Sequence, residues 1–404
     1  MSQEDKNILA VNGGSSSIKF AVYGTDGARA GENASALTKK LSGKIDRIGM
    51  KEATLTFTDI LNNGKGSLPA DAAGPEEAAV FLLDWLGRQK DVLPLAAIGH
   101  RVVHGMQHRQ AMPVDDGLLD ELQSIRDYDP DHLPGEIGLI RLFRRHSPDL
   151  PQFACFDTAF HAGLPRVAKL LPIPRRYDGS GIQRYGFHGL SYAYILEDLA
   201  RVEGAAIANG RVIIAHLGSG ASMAAVRNGC SVDTTMGFTP TGGIMMGTRT
   251  GDLDPGVAWY ILQKEQLTAA GFNDLVNHRS GLLGVSETSS DMQDLLAREK
   301  EDIRAAEAIA LFCYQVKKTI GAFSAVLGGV DTLVFTGGIG ERAAVIRSRI
   351  CGGLEYLGIG LDEQKNKNNE RVISAPGGRT GVYAIPTDEE QMIARTVYNL
   401  LKDH

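Results

Sequence analysis

Two stretches decide the fold: Ile8-Leu-Ala-Val-Asn-Gly-Gly-Ser-Ser-Ser-Ile-Lys-Phe-Ala-Val-Tyr23 and Val212-Ile-Ile-Ala-His-Leu-Gly-Ser-Gly-Ala-Ser-Met-Ala-Ala-Val226. In each, a β-branched apolar run enters a Gly/Ser turn and a second apolar run leaves it, which is the pattern of a β-hairpin. Aligning Ala10 with Ala215 puts Gly13 on Gly218 and Ser17 on Ser222, an offset of 205 in a chain of 404 residues. A repeat at half-length points to a duplicated domain, since solenoid periods are only ~20–50 residues. A third glycine turn lies in Asp331-Thr-Leu-Val-Phe-Thr-Gly-Gly-Ile-Gly-Glu-Arg-Ala-Ala344. Apolar residues at helical spacing precede it, roughly from Glu301 to Val326, and Gly328-Gly329 reads as their C-terminal cap. Strand, turn and helix then follow in the order of an α/β layer. Glu389 to Lys402 has the spacing of a last amphipathic helix, and Lys51–Thr58 and Arg371–Ile385 are strand-rich.

Composition narrows the function. Hydrophobic residues are 43%, charged residues 22% and the net charge −6, a globular profile with no global attraction for nucleic acid or an anionic membrane. No run reaches the ~18 apolar residues of a membrane span, and the start, MSQEDKN, lacks a signal-peptide layout, so a cytoplasmic protein is expected. The four cysteines, Cys155, Cys230, Cys313 and Cys351, lie far apart without a CxxC, which excludes a disulfide framework or a cysteine zinc site. His100, His104 and His108 recur every four residues, but Val102-Val103 favours a strand and no Glu completes a zinc-protease motif. Glycine stands out at 48 of 404 residues, and it is gathered in short turns.

Glycines let backbone N–H groups approach a phosphate closely, and small hydroxyls add donors. Asn12-Gly-Gly-Ser-Ser-Ser17 offers both, with Lys19 just downstream. A P-loop is excluded because Gly-Lys-Ser/Thr is missing and a strand follows; a dinucleotide fingerprint is excluded because no G-x-G-x-x-G opens a helix.

Two phosphate-clasping hairpins in duplicated halves, with a later strand–Gly-Gly–helix, resemble the actin-like ATPase superfamily of acetate and sugar kinases, Hsp70 and actin. The remaining motifs resemble the acetate kinase family closely. They are Gly99-His-Arg-Val-Val-His-Gly105, Phe156-Asp-Thr-Ala-Phe-His161, Arg184-Tyr-Gly-Phe-His-Gly189, His216-Leu-Gly-Ser-Gly220, Met236-Gly-Phe-Thr-Pro240, Met246-Gly-Thr-Arg-Thr-Gly-Asp-Leu-Asp-Pro255, Ser289-Ser-Asp291, Thr336-Gly-Gly-Ile-Gly-Glu341 and Pro386-Thr-Asp-Glu-Glu390. They run in the family's order across residues 8–395. The resemblance implies an α/β chain of two duplicated actin-like (ribonuclease H-like) domains with an interdomain cleft. We place the N-terminal domain at 1–155 plus 390–404 and the nucleotide-binding domain at 156–389.

It also implies a reversible kinase that passes the γ-phosphoryl of ATP directly to acetate, with Mg²⁺ (or Mn²⁺) as metal and a homodimer as assembly. Arg101 is expected to hold the carboxylate, with Val103, His132, Phe187 and Pro240 around it. Asp157, His188 and Arg249 are the catalytic candidates. A carboxylate acceptor is already ionised at pH 7, so Asp157 is read as an orienting, Mg²⁺-water-binding group more than as a base. Ser17, Lys19, His216, Leu217, Gly218, Ser219 and Gly220 are expected to bind the ATP/ADP phosphates. Asp291, Met292, Gln293, Gly338, Ile339, Gly340, Glu341 and Arg342 are expected around the nucleoside, and Asn12 and Glu389 at the metal. Local readings compete: Asp157 as a turn cap, Arg101 as a structural ion-pair partner, Glu389 as a first-turn acid of its helix, Cys155 as a small buried residue.

Four departures from the family pattern stand out. Pro130-Asp-His-Leu-Pro134 has Asp131 and Leu133 where an apolar and a polar residue are usual. Thr239-Pro-Thr-Gly-Gly243 loses an apolar and an acidic side chain at Thr241 and Gly242. Ser219 replaces an Asn and Gln293 an Arg. The first two fall on the substrate side, which keeps propionate, butyrate or a small polar acid as alternative acceptors. A non-catalytic ATP-binding switch would need a partner-binding domain for which the chain has no spare length.

Overall fold

The structure is a computed structural model that describes residues 7–14, 17–25, 37–50, 52–70 and 72–402. Ser15 and Ser16 of the first turn, the segment Met1–Lys6 and Lys51 lie outside the described residues. The chain divides into two units, Met1–Ala159 with Asp388–His404, and Phe160–Thr387. The first unit thus extends four residues past the boundary expected after residue 155, because the strand there continues its ladder: the Asp157 N–H donates to the Val102 carbonyl. It resumes at Asp388 because that carboxylate accepts from the Gln391 N–H at the start of the last helix. Asp157 and Glu389 therefore belong to the first unit.

The first unit holds an eight-stranded sheet of order β5-β4-β3-β2-β1-β6-β8-β7. Its strands are β1 Asn7–Gly13, β2 Ser17–Gly24, β3 Thr38–Asp46, β4 Thr54–Asp59, β5 Gly64–Pro69, β6 Leu95–Val102, β7 Met112–Pro113 and β8 Gln152–Phe156. β1 to β5 form an antiparallel meander, and β6 and β8 run parallel to β1. The second unit has the order β11-β10-β9-β12-β13, from β9 Arg211–Leu217, β10 Ala221–Arg227, β11 Cys230–Thr234, β12 Thr332–Thr336 and β13 Gly381–Ala384. Three antiparallel strands again lead into parallel ones. The five strands β3-β2-β1-β6-β8 and β11-β10-β9-β12-β13 thus share order and direction, which is the duplication read from the half-length repeat.

The repeat is not constant through the turn. Asn12 pairs with Lys19 across the first hairpin, and Leu217 pairs with Ala221 across the second. Asn12 and Leu217 differ by 205, whereas Lys19 and Ala221 differ by 202. The second turn is therefore three residues tighter, and Ser222 is not the structural counterpart of Ser17. Gly218 closes it by donating from its N–H to the Gly220 carbonyl. On the far side of β10, Asn228 and Gly229 both take positive φ, the signature of a two-residue hairpin into β11.

Alternation along the strands decides which face is buried. In the first unit Phe20, Val22, Ile45 and Leu55 pack against Leu82, Trp85 and Phe143. Those last three come from the helices Pro75–Leu86 and Leu133–His146. In the second unit Val212, Ile214 and Val226 pack on Tyr192, Ile195 and Leu199 of the helix Gly189–Val202. The long helix Ile303–Leu327 begins at an Asp302 cap and ends as its glycine pair predicts: Gly328 is left-handed and the Gly329 N–H donates to the Ser324 carbonyl. The last helix, Glu389–Lys402, has the bounds expected from its spacing. Arg371–Ile385 is less regular, with one strand and two isolated bridges.

Gly99 on β6 lets the last helix seat. A Cβ there would lie 2.4 Å from Ile393 Cγ2 and 2.8 Å from Val397 Cγ2. Gly99→Ala is expected to destabilise the first unit by about 1–3 kcal/mol through overpacking, read as a lower midpoint in chemical denaturation. An unchanged midpoint would mean that this helix is not held by close packing on β6.

Candidate active site

The first cluster lies in the first unit, at the ends of β1, β6 and β8. Arg101 on β6 is partly buried and points its fork at Asp157, the residue after β8. Both Nε, at 3.0 Å, and Nη2 donate to Asp157 Oδ2. Asp157 is fully buried. Its carboxylate holds one edge of the guanidinium, which leaves the Nη1 edge. There Nη1 donates a long hydrogen bond to Asn12 Oδ1 at 3.5 Å and pairs with Glu136 Oε1 at 3.7 Å. Burial depresses the Arg101 pKa, but the charges of Asp157, Glu389 and Glu136 together raise it. Asn12 Nδ2 donates to Glu389 Oε2 at 3.2 Å. Asn12, Arg101, Asp157 and Glu389, four residues expected at the site, are therefore in one polar network.

Lys19 is exposed and lies directly across β1 from Asn12, with Ser17 half-buried at the start of β2. His132 stands at the N-terminus of the helix Leu133–His146, and its Nδ1 meets Asp129 Oδ1 at 2.8 Å. Asp129 is thus an acid hydrogen-bonded to His132, where the sequence drew attention only to Asp131. Val103 is buried, and its N–H donates to Glu136 Oε2 at 2.9 Å.

Glu136 is the residue that sequence reading missed. It is 3% exposed, and burial first, with Asp129 and Asp157 adding, pushes its pKa up to about 8 against the pull of Arg101 and the Val103 N–H. A signal was available. Leu133, Ile137 and Ile140 mark the buried stripe of that helix, and Glu136 stands on the same stripe.

Other single residues resolve locally. His100 is buried, meets Gln152 Oε1 at 2.8 Å and is pushed down to about 4 by burial. His108 faces Glu121 instead. The buried Cys155 thiol is pushed up to about 12 by burial and behaves as a small core residue.

The second cluster lies in the second unit. Arg184 locks the segment before His188 by donating from Nη1 to the carbonyls of Thr234, Thr235 and Met236, at 3.1, 2.9 and 3.0 Å. Buried His161, its pKa lowered to about 4 by burial, is neutral at pH 7; its Nε2 lies 3.1 Å from the Phe187 carbonyl and its Nδ1 2.8 Å from Ser231 Oγ. These contacts hold the chain where His188 takes a left-handed conformation, φ 59°, and starts the next helix. His188 stacks on His216, ring centroids 4.2 Å apart, and its Nδ1 meets Ser222 Oγ at 2.8 Å. Tyr192 Oη bonds the same hydroxyl. Its Nε2 faces the glycine turn: a Cβ on Gly220 would lie 3.4 Å from it.

Arg249 reaches the same turn through its loop. The Gly247 N–H donates to the Ser219 carbonyl at 2.9 Å. Gly281, at φ +62°, lets its backbone press on this loop; a Cβ there would sit 2.2 Å from the Met246 carbonyl and 2.7 Å from that of Arg249. Arg249 Nη1 lies 3.3 Å from the carbonyl of buried Pro240. The third turn comes to the same place. Gly337, φ +74°, packs on Leu217, and a Cβ on Gly218 would lie 3.9 Å from the Gly338 N. Gly218 and Gly338 thus stand beside each other, and Ser219 and Gly338 are both exposed. Glu341 Oε1 accepts from the Thr387 N–H at 3.1 Å; Ile339 is half-buried, Gly340 buried and Arg342 exposed. Asp291 caps a helix, accepting from the Gln293 N–H at 2.7 Å; the Met292 side chain is buried, and Gln293 is exposed.

Among the described residues no helix is long and apolar enough to cross a membrane. Nor do three His, Cys, Asp or Glu side chains gather as metal ligands among them. Asn12 and Glu389 nevertheless adjoin, the amide nitrogen on the carboxylate and the amide oxygen toward Arg101, so a carboxylate and an amide oxygen lie close to one place. That suits Mg²⁺, which takes one or two carboxylates and keeps several waters.

Known proteins match this arrangement. The family model described as the acetokinase family matches residues 7–395. An acetate kinase of Rhodopseudomonas palustris is 44% identical over 97% of this chain and 98% of its own. A propionate kinase of Citrobacter rodentium is 40% identical over 97% and 96%. The crystal structure of Porphyromonas gingivalis acetate kinase superposes with a TM-score of 0.86 at 33% identity, covering 98% of this chain and all of that one. Two units of one duplicated actin-like topology, and relatives alike over nearly their full length, lead to one conclusion: this chain belongs to the acetokinase family.

Proposed function

We propose that the protein phosphorylates acetate with ATP, giving acetyl phosphate and ADP, and that it runs in both directions. The observation that carries this reading is the guanidinium of Arg101. Asp157 holds its Nε/Nη2 edge, and only a long hydrogen bond to Asn12 and a 3.7 Å ion pair with Glu136 meet Nη1, which we assign to the carboxylate of the acceptor.

In the forward reaction one carboxylate oxygen attacks the γ-phosphorus, and the bond to the β-bridging oxygen breaks, leaving ADP. The acceptor is already an anion at pH 7, so no general base is required. Asp157 orients Arg101, and Arg101 orients the acceptor. Val103, His132, Phe187 and Pro240 are assigned to the acyl group. Charge on the transferring phosphoryl oxygens is met by Arg249 and by His188 Nε2. If Tyr192 donates to Ser222 and Ser222 to His188 Nδ1, the ring proton stays on Nε2, aimed at the turn. The turn at Gly218–Gly220, with Ser17 and Lys19, is assigned to the phosphates, and Asp291–Gln293 with Gly338–Arg342 to the nucleoside. Asn12 and Glu389 would hold a Mg²⁺ ion, which supplies charge neutralisation to the nucleotide phosphates.

Propionate is the second acceptor, favoured by the Citrobacter rodentium propionate kinase, 40% identical to this chain. We further assign a homodimer through the helix Pro255–Lys264, which buries none of its residues and exposes Trp259 and Tyr260 by 65% and 60%. Sedimentation of the purified protein is expected to give twice the chain mass, and Trp259→Asp to shift it toward the monomer.

With ATP, Mg²⁺ and acetate, hydroxylamine is expected to trap acetyl hydroxamate. Arg249→Ala should lower kcat by about 10³-fold or more, as the loss of a transition-state arginine does, with ADP binding retained. ATP binding without any acyl hydroxamate from acetate or propionate would contradict the reading. Ser222→Ala should lower kcat by about tenfold or more with the acetate KM unchanged. An unchanged kcat would remove the Tyr192–Ser222–His188 chain from the mechanism.

A further inference from the structure

We propose that Glu136 is a substrate-binding residue of the carboxylate site: it enters as the neutral acid and donates its Oε1 hydrogen to the carboxylate that Arg101 holds, so that carboxylate binding takes up a proton. This rests on the reading of Arg101 given above.

The geometry leaves little alternative for where an acceptor must lie. Asp157 occupies the Nε/Nη2 edge of Arg101. A carboxylate binding in bidentate fashion therefore uses the Nη1 side, where Asn12 Oδ1 accepts from Nη1 at 3.5 Å and Glu136 Oε1 lies 3.7 Å from it. Glu136 Oε2 already accepts from the Val103 N–H, while Oε1 is buried and makes no hydrogen bond. An unfilled buried polar atom is costly, and this one lies against the edge that the substrate needs.

Charge gives the same answer. Arg101 already faces Asp157 and Glu136, and Glu389 acts on it as well. Asp129 also acts on Glu136, and it is hydrogen-bonded to His132. A substrate anion on the Nη1 edge would put two carboxylates side by side on one guanidinium. Two carboxyl groups in that position share a proton. Glu136 as the acid supplies it: the O–H on Oε1 donates to one substrate oxygen, Oε2 keeps the Val103 N–H, and the other substrate oxygen, which takes only an Arg101 N–H, turns its remaining lone pair to phosphorus. The raised pKa, to about 8, means that the free protein carries this proton at pH 7 and must acquire it above pH 8.

The experiment follows acetate KM and kcat from pH 6.5 to 9.5, and proton uptake on adding acetate to the unmodified protein with MgADP at pH 9, read with an indicator dye. We expect KM to rise about tenfold per pH unit above pH 8, kcat to change much less, and nearly one proton to be taken up per site at pH 9 but almost none at pH 6.5. Glu136→Gln keeps an oxygen for the Val103 N–H and an N–H donor for the substrate. In that variant KM should lose its rise above pH 8 and uptake should vanish. Acetate binding without proton uptake in the unmodified protein, or the same KM slope in Glu136→Gln, would overturn Glu136 alone. No acyl phosphate from any short carboxylate at pH 7 would overturn the functional reading and this proposal with it.

Discussion

The contact between Arg101 and Asp157 organises the first unit's chemistry. A fully buried carboxylate is tolerable only when paired, and removing one partner of such a pair typically costs about 3–5 kcal/mol. Here the pair also fixes the guanidinium by its Nε/Nη2 edge and leaves Nη1 to Asn12 and Glu136. β6 and β8 are parallel neighbours, with Arg101 directly opposite Cys155, so Asp157 follows at the end of the ladder where its side chain can reach. The sheet register thus fixes the orientation of the fork before any substrate arrives. Pre-organisation of this kind is what a phosphoryl transfer requires of a protein, because positioning and charge do most of the work.

The second unit reaches the same end with backbone. Its hairpin turn is three residues tighter than the first, and Gly337 and Gly281 allow main-chain approaches that no side chain would permit. The Gly247–Ser219 hydrogen bond ties the Arg249 loop to that turn. His188 is held from three directions, by its left-handed backbone, by His216 and by Ser222. The two units therefore differ in what shapes their turns: side-chain charge in one, close backbone packing in the other.

Much of this was legible in the sequence, for physical reasons that differ by element. The hairpins announced themselves because glycine and small hydroxyls between β-branched runs have few other uses. The long helix announced its end through Gly328-Gly329. The change of offset within the repeat was hidden, since it depends on cross-strand register, which the Gly/Ser composition of a turn does not specify. The Arg101–Asp157 pair joins residues 56 apart, so each read equally well as a local structural group until the parallel strands brought them together. Asp291, expected near the nucleoside, also caps a helix, a second role that its local sequence did not single out. Glu136 was overlooked because it matched no motif, although an acid on the apolar stripe of its helix is a signal that burial alone makes readable.

We assign recognition of the carboxylate to Arg101 and recognition of the nucleoside to the second unit. The most direct measurement compares carboxylate KM with the MgADP dissociation constant in Arg101→Lys, which keeps the charge and loses the fork. We expect an acetate KM raised about a hundredfold or more, as loss of a charge-assisted bidentate contact implies, with MgADP binding unchanged. A weakened MgADP affinity with acetate KM unaltered would contradict this assignment.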